Sequence, residues 1–185
     1  PKDPHGQDLE LIITELGLDE GQIMISTEKY PPNVLAMMYN MCDCTINISD
    51  AEGFGLATLE SIACETPIIV NMTGGLQEQV TNGEEWFGIG LEPSSKAIIG
   101  SQQVPYIYED RLSKDDFVNA LIEFYNLPEE QRREMGKKGR EHVLKNYNFE
   151  NYIKRWDEIL TDIHERHGSW DNRKNYKSWT FEEVA

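Results

Sequence analysis

The first hundred residues contain very few basic side chains. Lys2, Lys29 and Lys96 are the cations there, against 16 Asp and Glu, whereas residues 101–185 hold 14 cations and 17 acids. The formal net charge of the 185-residue chain is −16. Because phosphate contacts in nucleic-acid complexes need clustered Lys and Arg, this charge distribution argues against nucleic acid as a partner.

Long apolar runs, a signal-peptide pattern and paired cysteines are also missing. No apolar run approaches the roughly 20 residues of a membrane-spanning helix. Residues 1–6 lack both an initiator Met and the basic-then-apolar order of a signal peptide, so we expect a fragment or a processed chain. Cys42, Cys44 and Cys64 lack a metal-type spacing. We interpret them as buried, reduced thiols and expect a cytoplasmic protein.

One stretch has the pattern of a ligand-binding turn in an α/β fold. Residues 44–48 are rich in β-branched side chains and predict a strand. After Gly55 the apolar residues recur at helical spacing, and residues 67–70 predict the next strand. A glycine loop therefore joins a buried strand to a helix, at the strand end where α/β folds bind ligands. The sequence predicts a Rossmann-like, mainly parallel sheet flanked by helices.

The glycine loop has the features of an anion site. Gly53 and Gly55 let the backbone approach a ligand closely. A phosphate suits the unpaired, dipole-aligned amides of a helix start. Here these amides belong to Phe54, Gly55, Leu56 and Ala57. Glu60 lies one helical turn beyond them, and Glu52 can face the same cavity. For this motif alone, a tight turn that binds no ligand stays open as the alternative. If the loop does bind a nucleotide, we expect Gly55→Val to abolish that binding and to leave the fold intact.

The order of the motifs resembles the retaining glycosyltransferases of family 4, which have the GT-B fold. The shared pattern is Glu-Gly-Phe-Gly-Leu at residues 52–56, a second acid at Glu60, a strand at residues 67–70 and Thr-Gly-Gly-x-x-Glu at residues 73–78. The likeness runs from Met38 to Val80 and is weaker in the C-terminal helices. One departure is Glu65, where that family usually has Gly.

The resemblance implies the donor-binding domain of a hexosyltransferase. Glu52, the catalytic residue, would contact hydroxyls of the donor sugar, Glu60 would hold the ribose, and the amides of residues 53–57 would bind the sugar and diphosphate. The enzyme would move a sugar from a nucleotide-diphosphate sugar to an acceptor with retention. Catalysis would be largely electrostatic. The absence of an Asp-x-Asp motif agrees with a metal-independent mechanism, and no cofactor is expected beyond the donor.

A second loop could complete this site. Residues 22–26 predict a short strand, and Lys29 and Tyr30 follow in the loop after it. In the resembled family the corresponding loop lies along the nucleobase, so either side chain could face the base. A surface turn is equally compatible with the sequence.

We expect two parts in the chain. Residues 1–148 would form the nucleotide-sugar-binding domain, incomplete at its N-terminus and with an insertion at about residues 92–112. Residues 149–185 would form a C-terminal helix and an aromatic tail that pack toward the GT-B N-terminal domain, which is missing here. Family 4 enzymes carry a diphosphate-binding Arg and Lys near the start of this domain. Since no cation occurs between Lys2 and Lys29, we expect residues 1–185 alone to be inactive.

The sequence leaves partners and two other functions open. The acceptor could be a glycan, a lipid or a protein, and peripheral membrane contact is expected through the missing part alone. One alternative is a sugar-nucleotide epimerase or a phosphorylase of the same fold, which would need further catalytic acids or a cofactor lysine. The other is a non-catalytic module that binds a sugar nucleotide or a protein, which the cation-poor first half permits.

Overall fold

The computed structural model describes residues 7–175, and the chain divides into two units, Pro1–Leu35 and Ala36–Ala185. The helices are α1 (Leu9–Glu15), α2 (Pro32–Asn40), α3 (Leu56–Ala63), α4 (Leu76–Val80), α5 (Lys114–Asn126), α6 (Glu129–Asn146) and α7 (Phe149–His167). The strands are β1 (Thr45–Asn47), β2 (Ile68–Asn71), β3 (Gly88–Leu91), β4 (Ser95–Ile99) and β5 (Ile107–Arg111).

The first unit contains α1 and an extended segment. Asp8 begins the helix, and its Oδ1 accepts a hydrogen bond from the Leu11 amide at 3.2 Å. The strand predicted at residues 22–26 is wrong, because this segment pairs with none of the described strands and Met24 is 92% exposed. An apolar, β-type pattern becomes a strand only where a neighbouring strand takes up its backbone hydrogen bonds.

The second unit is built on a parallel sheet with the order β1-β2-β3. Thr45 lies opposite Ile68 in the first ladder, and Ile68 lies opposite Gly88 in the second. All four residues of the central strand β2 are buried, as expected for a strand covered on both faces. The predicted α/β class with a parallel sheet is confirmed.

Helices cover both faces of this sheet. Because side chains alternate along a strand, Ile68 and Val70 of β2 point to one face and Ile69 points to the other. The first face packs into a core with residues from α3, α4 and α6, namely Ile62, Leu76, Val80 and Val143. The second face packs against Leu91, Ala120 and Phe124, of which the last two lie on α5.

The predicted insertion contains an antiparallel hairpin. Its strands β4 and β5 pair from Ser95 opposite Arg111 to Ile99 opposite Ile107. In the connection between them, the Ser101 amide donates to the Val104 carbonyl at 3.1 Å, and Tyr106 has a left-handed φ of 63° directly before β5 begins.

Three helices, α5, α6 and α7, end the described chain, and side chains cap the N-termini of the first and the last. Ser113 Oγ accepts from the Asp116 amide at 3.4 Å, and Asn148 Oδ1 accepts from the Asn151 amide at 2.8 Å. No residue of α7 is buried. Its exposed apolar side consists of Phe149, Tyr152, Ile153, Trp156, Leu160 and Ile163. The tail residues Tyr176, Trp179 and Phe181 lie outside the described residues.

Between residues 7 and 175, no helix combines the length and apolar composition needed to cross a membrane. The three cysteines are free thiols. The prediction that all of them are buried is wrong, since Cys42 is exposed and the other two are partly buried. Cys42 lies just beyond the C-terminal end of α2, where its Sγ–H donates to the Met38 carbonyl at 3.3 Å.

The turn between α3 and β2 shows the cost of the departure at Glu65. This residue has a φ of 63°, a left-handed conformation that suits Gly far better than Glu. Helix α6 crosses directly over the turn, and a Cβ atom at Gly136 would lie 1.9 Å from the Glu65 carbonyl oxygen. Gly136 therefore allows the close approach of α6 to this end of α3.

We predict that Gly136→Ala lowers the free energy of unfolding by about 1–3 kcal/mol, as overpacking of a tight contact does. In an exposed helix interior the same change would instead be stabilising, because Ala is the better helix former. Gln131→Ala, at an exposed site on the same helix, is the control and should change stability by less than about 0.5 kcal/mol. Urea unfolding measures both, and unchanged stability of the Gly136→Ala variant would contradict the close packing.

Candidate functional site

The first glycine loop, residues 48–55, connects β1 to α3. Gly55 is the N-cap residue of α3, has a φ of 86° and supplies no side-chain cap. Among residues 7–175, no protein acceptor pairs with the four amides at this helix start, those of Phe54, Gly55, Leu56 and Ala57. Leu56 is 68% exposed instead of packed inward. The loop thus offers unpaired donors at the positive end of the helix dipole.

The second glycine loop, residues 72–75, is in backbone contact with the first. The Gly75 amide donates to the Gly53 carbonyl at 3.1 Å. A Cβ atom at Gly74 would lie 1.6 Å from the Glu52 carbonyl oxygen, and one at Gly75 would lie 2.8 Å from the Phe54 Cα. Both positions therefore require Gly, and the two loops form one surface at the carboxyl ends of β1 and β2.

Gln79 fixes the first loop from α4 and was missed in the sequence. It is fully buried, and its Nε2 donates to the carbonyl oxygens of Phe54 at 2.6 Å and Gly55 at 3.1 Å. Its Oε1 accepts from Thr58 Oγ1 at 2.6 Å. Residues 76–80 read Leu-Gln-Glu-Gln-Val, and nothing in that sequence distinguishes Gln79 from Gln77; its burial and its partners are set by tertiary packing.

The glycines of the first loop differ in the space around them. A Cβ atom at Gly55 would lie 2.6 Å from Leu76 Cδ2 and 2.7 Å from Thr58 Oγ1, whereas one at Gly53 would meet nothing within 4 Å. The expectation that Gly55→Val leaves the fold intact is therefore contradicted. Gly53 is the position where a side chain can be added without disturbing the core.

Glu52 is partly buried and is held by the end of β1. Asn47 Nδ2 donates to Glu52 Oε2 at 3.3 Å. The other end of the Asn47 amide accepts from the Ser49 amide at 3.1 Å and from Ser49 Oγ at 2.7 Å. Asn47 thus fixes the Glu52 carboxylate through a neutral amide donor. From the sequence, Asn47 was predicted only as a strand residue, with no role in the site.

Glu60 is exposed and is held by α2. Tyr39 O–H donates to Glu60 Oε2 at 3.2 Å. Partial burial, followed by the negative charge of Glu60 and this hydrogen bond, raises the pKa of Tyr39 to about 12. Tyr39 therefore stays neutral across the physiological range and keeps its donor. Like Asn47, it was not among the predicted site residues.

Lys29 and Tyr30 lie in the first unit. The Ser26 hydroxyl donates to the hydroxyl oxygen of Tyr30 at 3.2 Å, and Tyr30 is 38% exposed. The predicted contact of this loop with a nucleobase stays a prediction.

An apolar groove of about 800 Å³ lies beside the first glycine loop. Phe54 and Leu59 form one wall, and the corner between α6 and α7 forms the other with Tyr147, Phe149, Tyr152 and Trp156. The Phe54 and Tyr147 rings meet edge to face at 5.9 Å between centroids.

Among residues 7–175, no group of three or more His, Cys, Asp and Glu side chains is arranged to hold a metal ion.

We predict that Tyr39→Phe removes from the tyrosinate absorbance titration one group that ionises near pH 12, above the ordinary value of 10.0. Glu60→Gln should lower the pKa of Tyr39 only partly, because burial is the larger cause. The stability linked to this raised pKa is fully present below pH 10 and lost as the pH rises toward 12. If the group that Tyr39→Phe removes ionises near pH 10 instead of pH 12, the contact is contradicted.

Comparisons with known proteins identify the family. Residues 3–142 match the family described as glycosyl transferases group 1. A D-inositol 3-phosphate glycosyltransferase of Thermomonospora curvata is 35% identical over 97 residues, 52% of this chain and 22% of that protein. An N-acetyl-alpha-D-glucosaminyl L-malate synthase of Bacillus anthracis is 27% identical over 129 residues, 70% of this chain and 28% of that protein. The chain thus matches less than a third of the length of these curated relatives.

Two solved structures share the fold. The C-terminal domain of LpcC, a glycosyl transferase group 1 family protein from Francisella tularensis, superposes with a TM-score of 0.51 and 26% identity over 76% of this chain and 61% of that one. Sucrose-phosphate synthase from Thermosynechococcus elongatus gives a TM-score of 0.65 and 24% identity over 89% of this chain and 37% of that one. The resemblance to the C-terminal domain of GT-B glycosyltransferases is confirmed, and the chain belongs to the glycosyl transferases group 1 family, glycosyltransferase family 4.

Proposed function

We propose that the two glycine loops bind a nucleotide-diphosphate sugar, and that the protein containing this chain transfers the sugar to an acceptor with retention. The observation that carries the proposal is the row of four unpaired amides at the start of α3, which Glu52 precedes and Glu60 follows in the sequence. Backbone donors at a helix N-terminus suit a diphosphate. Membership of the family supports a nucleotide sugar as the ligand.

The two glutamates have separate roles in this proposal. Glu52 contacts the hydroxyls of the donor sugar and positions it for reaction, and Glu60 accepts hydrogen bonds from the ribose. One oxygen of each carboxylate accepts a hydrogen bond from a neutral protein donor, which is Asn47 for Glu52 and Tyr39 for Glu60. The other oxygen of each remains available for the ligand, since a carboxylate can accept several hydrogen bonds.

The reaction would rest on electrostatic stabilisation. As the bond between the sugar and the diphosphate breaks, negative charge grows on the departing diphosphate. Fixed amide donors at residues 53–57 stabilise this charge without reorganising at the moment of reaction. The lack of an Asp-x-Asp motif supports a mechanism without a metal ion.

The rest of the enzyme is proposed from the uncovered surfaces. The exposed apolar side of α7 supports packing of residues 149–185 toward an N-terminal domain, as in GT-B enzymes. The acceptor would bind to that domain. The relatives are named as a D-inositol 3-phosphate glycosyltransferase and an N-acetyl-alpha-D-glucosaminyl L-malate synthase, and the acceptor here would be a glycan, a lipid or a protein. The free thiols support a cytoplasmic location.

The loop is tested by a pair of glycine substitutions. We predict that Gly53→Val keeps the thermal unfolding midpoint and the far-ultraviolet circular dichroism of the wild type, because a Cβ atom there meets open space. It should weaken the binding of UDP, GDP or ADP, measured by calorimetry, about tenfold or more. Gly55→Val should instead lower stability through its contacts with Leu76 and Thr58. Full affinity in a folded Gly53→Val protein would remove the loop from the site.

The division of roles between the glutamates gives a second test. Glu60→Ala should weaken binding of the nucleoside diphosphate about tenfold or more, because charge-assisted hydrogen bonds are worth roughly 1.5–3 kcal/mol. Glu52→Ala should spare the nucleoside diphosphate and weaken the sugar-bearing donor, for example UDP-glucose relative to UDP. Glu84→Ala, an exposed acid outside both glycine loops and outside the shared motif, is the control. Equal losses for both ligands in both variants would contradict the assignment.

A further inference from the structure

We propose that the β4–β5 hairpin fixes the conformation of the Glu52 loop, and that Arg111 is the positioning residue that does so. The proposal concerns how Glu52 is presented to the donor sugar, and for that ligand it rests on the proposed function. Glu52 lies between Asp50 and Gly53, in a loop that turns sharply away from β1. The hairpin, which lies in the predicted insertion, provides contacts to this loop that the glycine motif itself does not supply.

The first attachment joins β5 to the loop two residues before Glu52. The Arg111 guanidinium pairs with the Asp50 carboxylate and, through Nη2 at 2.8 Å, with Glu109 Oε2. The Asp110 amide donates to the Asp50 carbonyl oxygen at 2.8 Å. Asp50 is therefore held by both its side chain and its backbone, so the chain cannot swing away from the hairpin on this side.

A second contact brings the same strand beside the other glycine loop. The Thr73 side chain lies near the Asp110 carboxylate, and Lys96 Nζ lies 3.4 Å from Asp110 Oδ1. The Thr73 side chain, followed by Lys96, lowers the pKa of Asp110. Thr73 is 6% exposed and directly precedes Gly74. Asp110 thus lies beside the second loop, while its amide and the Arg111 side chain hold Asp50 of the first.

The charges explain why an arginine serves here. Asp50, Glu52 and Glu109 would place three carboxylates near a bound diphosphate, and mutual repulsion would open the loop. The Arg111 guanidinium lies between two of these carboxylates, which a planar fork with several donors can do and a single ammonium group cannot do equally well. Arg111 and Asp50 are each about 40% exposed. The role of Arg111 is therefore to set the geometry of the Glu52 loop more than to add stability.

The other contacts of the Glu52 loop lie on either side of Asp50 and do not hold Asp50 itself. Asn71 Nδ2 donates to the Ser49 carbonyl at 2.9 Å, and Asn47 holds Ser49 and one oxygen of Glu52. On the far side, the Gly53 carbonyl is held by Gly75. Asp50 lies between these two anchored points and is held by Arg111 and Asp110. Release of Asp50 therefore frees the segment that carries Glu52.

The test compares Arg111→Gln, Arg111→Lys and the control Arg133→Gln, which removes an exposed arginine paired with Glu129 on α6. Hydrogen exchange of the Asp110 amide, which donates to the Asp50 carbonyl, and of the Ser49 amide, which donates to Asn47 Oδ1, should become about tenfold faster in Arg111→Gln, as expected when local opening becomes easier. Arg111→Lys should restore part of the protection. The control should match the wild type, and circular dichroism should show that all the variants are folded.

Calorimetry gives a second readout with UDP and UDP-glucose, GDP and GDP-mannose, and ADP and ADP-glucose. For the pair that the wild type binds, Arg111→Gln should keep the affinity for the nucleoside diphosphate within about twofold and weaken the sugar-bearing donor about threefold or more. Unchanged exchange in Arg111→Gln would overturn the proposal. Equal weakening of both ligands would also overturn it, because Arg111 would then contact the diphosphate directly. If the wild type binds none of these ligands, the proposed function fails, while the exchange result still decides whether the hairpin holds the loop.

Discussion

The close approach of two glycine loops is the constraint on which the site depends. The Gly75 amide bonds to the Gly53 carbonyl, and a Cβ atom at Gly74 would overlap the Glu52 backbone. Parallel strands β1 and β2 bring these loops to the same edge of the sheet, and buried Gln79 locks the first loop from α4. The loop backbone is therefore rigid before any ligand arrives. Rigid, unpaired amides are what an electrostatic mechanism requires, because they need not reorganise during the reaction.

Local patterns were sufficient to predict most of this framework. The strands at β1, β2 and β3 and the helices around them follow from β-branched runs, helical spacing and caps, which are all properties of neighbouring residues. The segment at residues 22–26 has the same kind of pattern and forms no strand, because pairing depends on residues far away in the sequence. The β4–β5 hairpin was missed for the complementary reason: its strands mix polar and apolar residues, and its turn contains no simple hairpin signal at Tyr106.

The site divides in the same way. The glycines and the two glutamates were identified as candidate site residues because their spacing is a motif. The residues that hold the glutamates could not, since the contact of Tyr39 with Glu60 spans 21 positions and depends on how α2 lies beside α3. Glu65 is a third case: the sequence shows the departure from Gly, and the structure explains the family preference by a left-handed backbone under α6. Such a conformation costs about 1–3 kcal/mol for a residue other than Gly.

The scarcity of cations in the first hundred residues, which left a non-catalytic module open in the sequence, has a counterpart in how the structure holds its acidic side chains. Neutral groups, the Asn47 amide and the Tyr39 hydroxyl, hold the two glutamates. Cations there would have formed ion pairs with the carboxylates and competed with hydroxyl groups of a ligand. Arg111, which pairs with Asp50 of the loop and with Glu109, comes from the second half of the chain. Charge on the diphosphate would therefore be met within this domain by backbone amides, and any further cations would have to come from elsewhere in the protein or from the acceptor side. A domain built in this way should select its ligand by hydrogen-bond geometry more than by net charge, because each contact that it offers has a fixed direction.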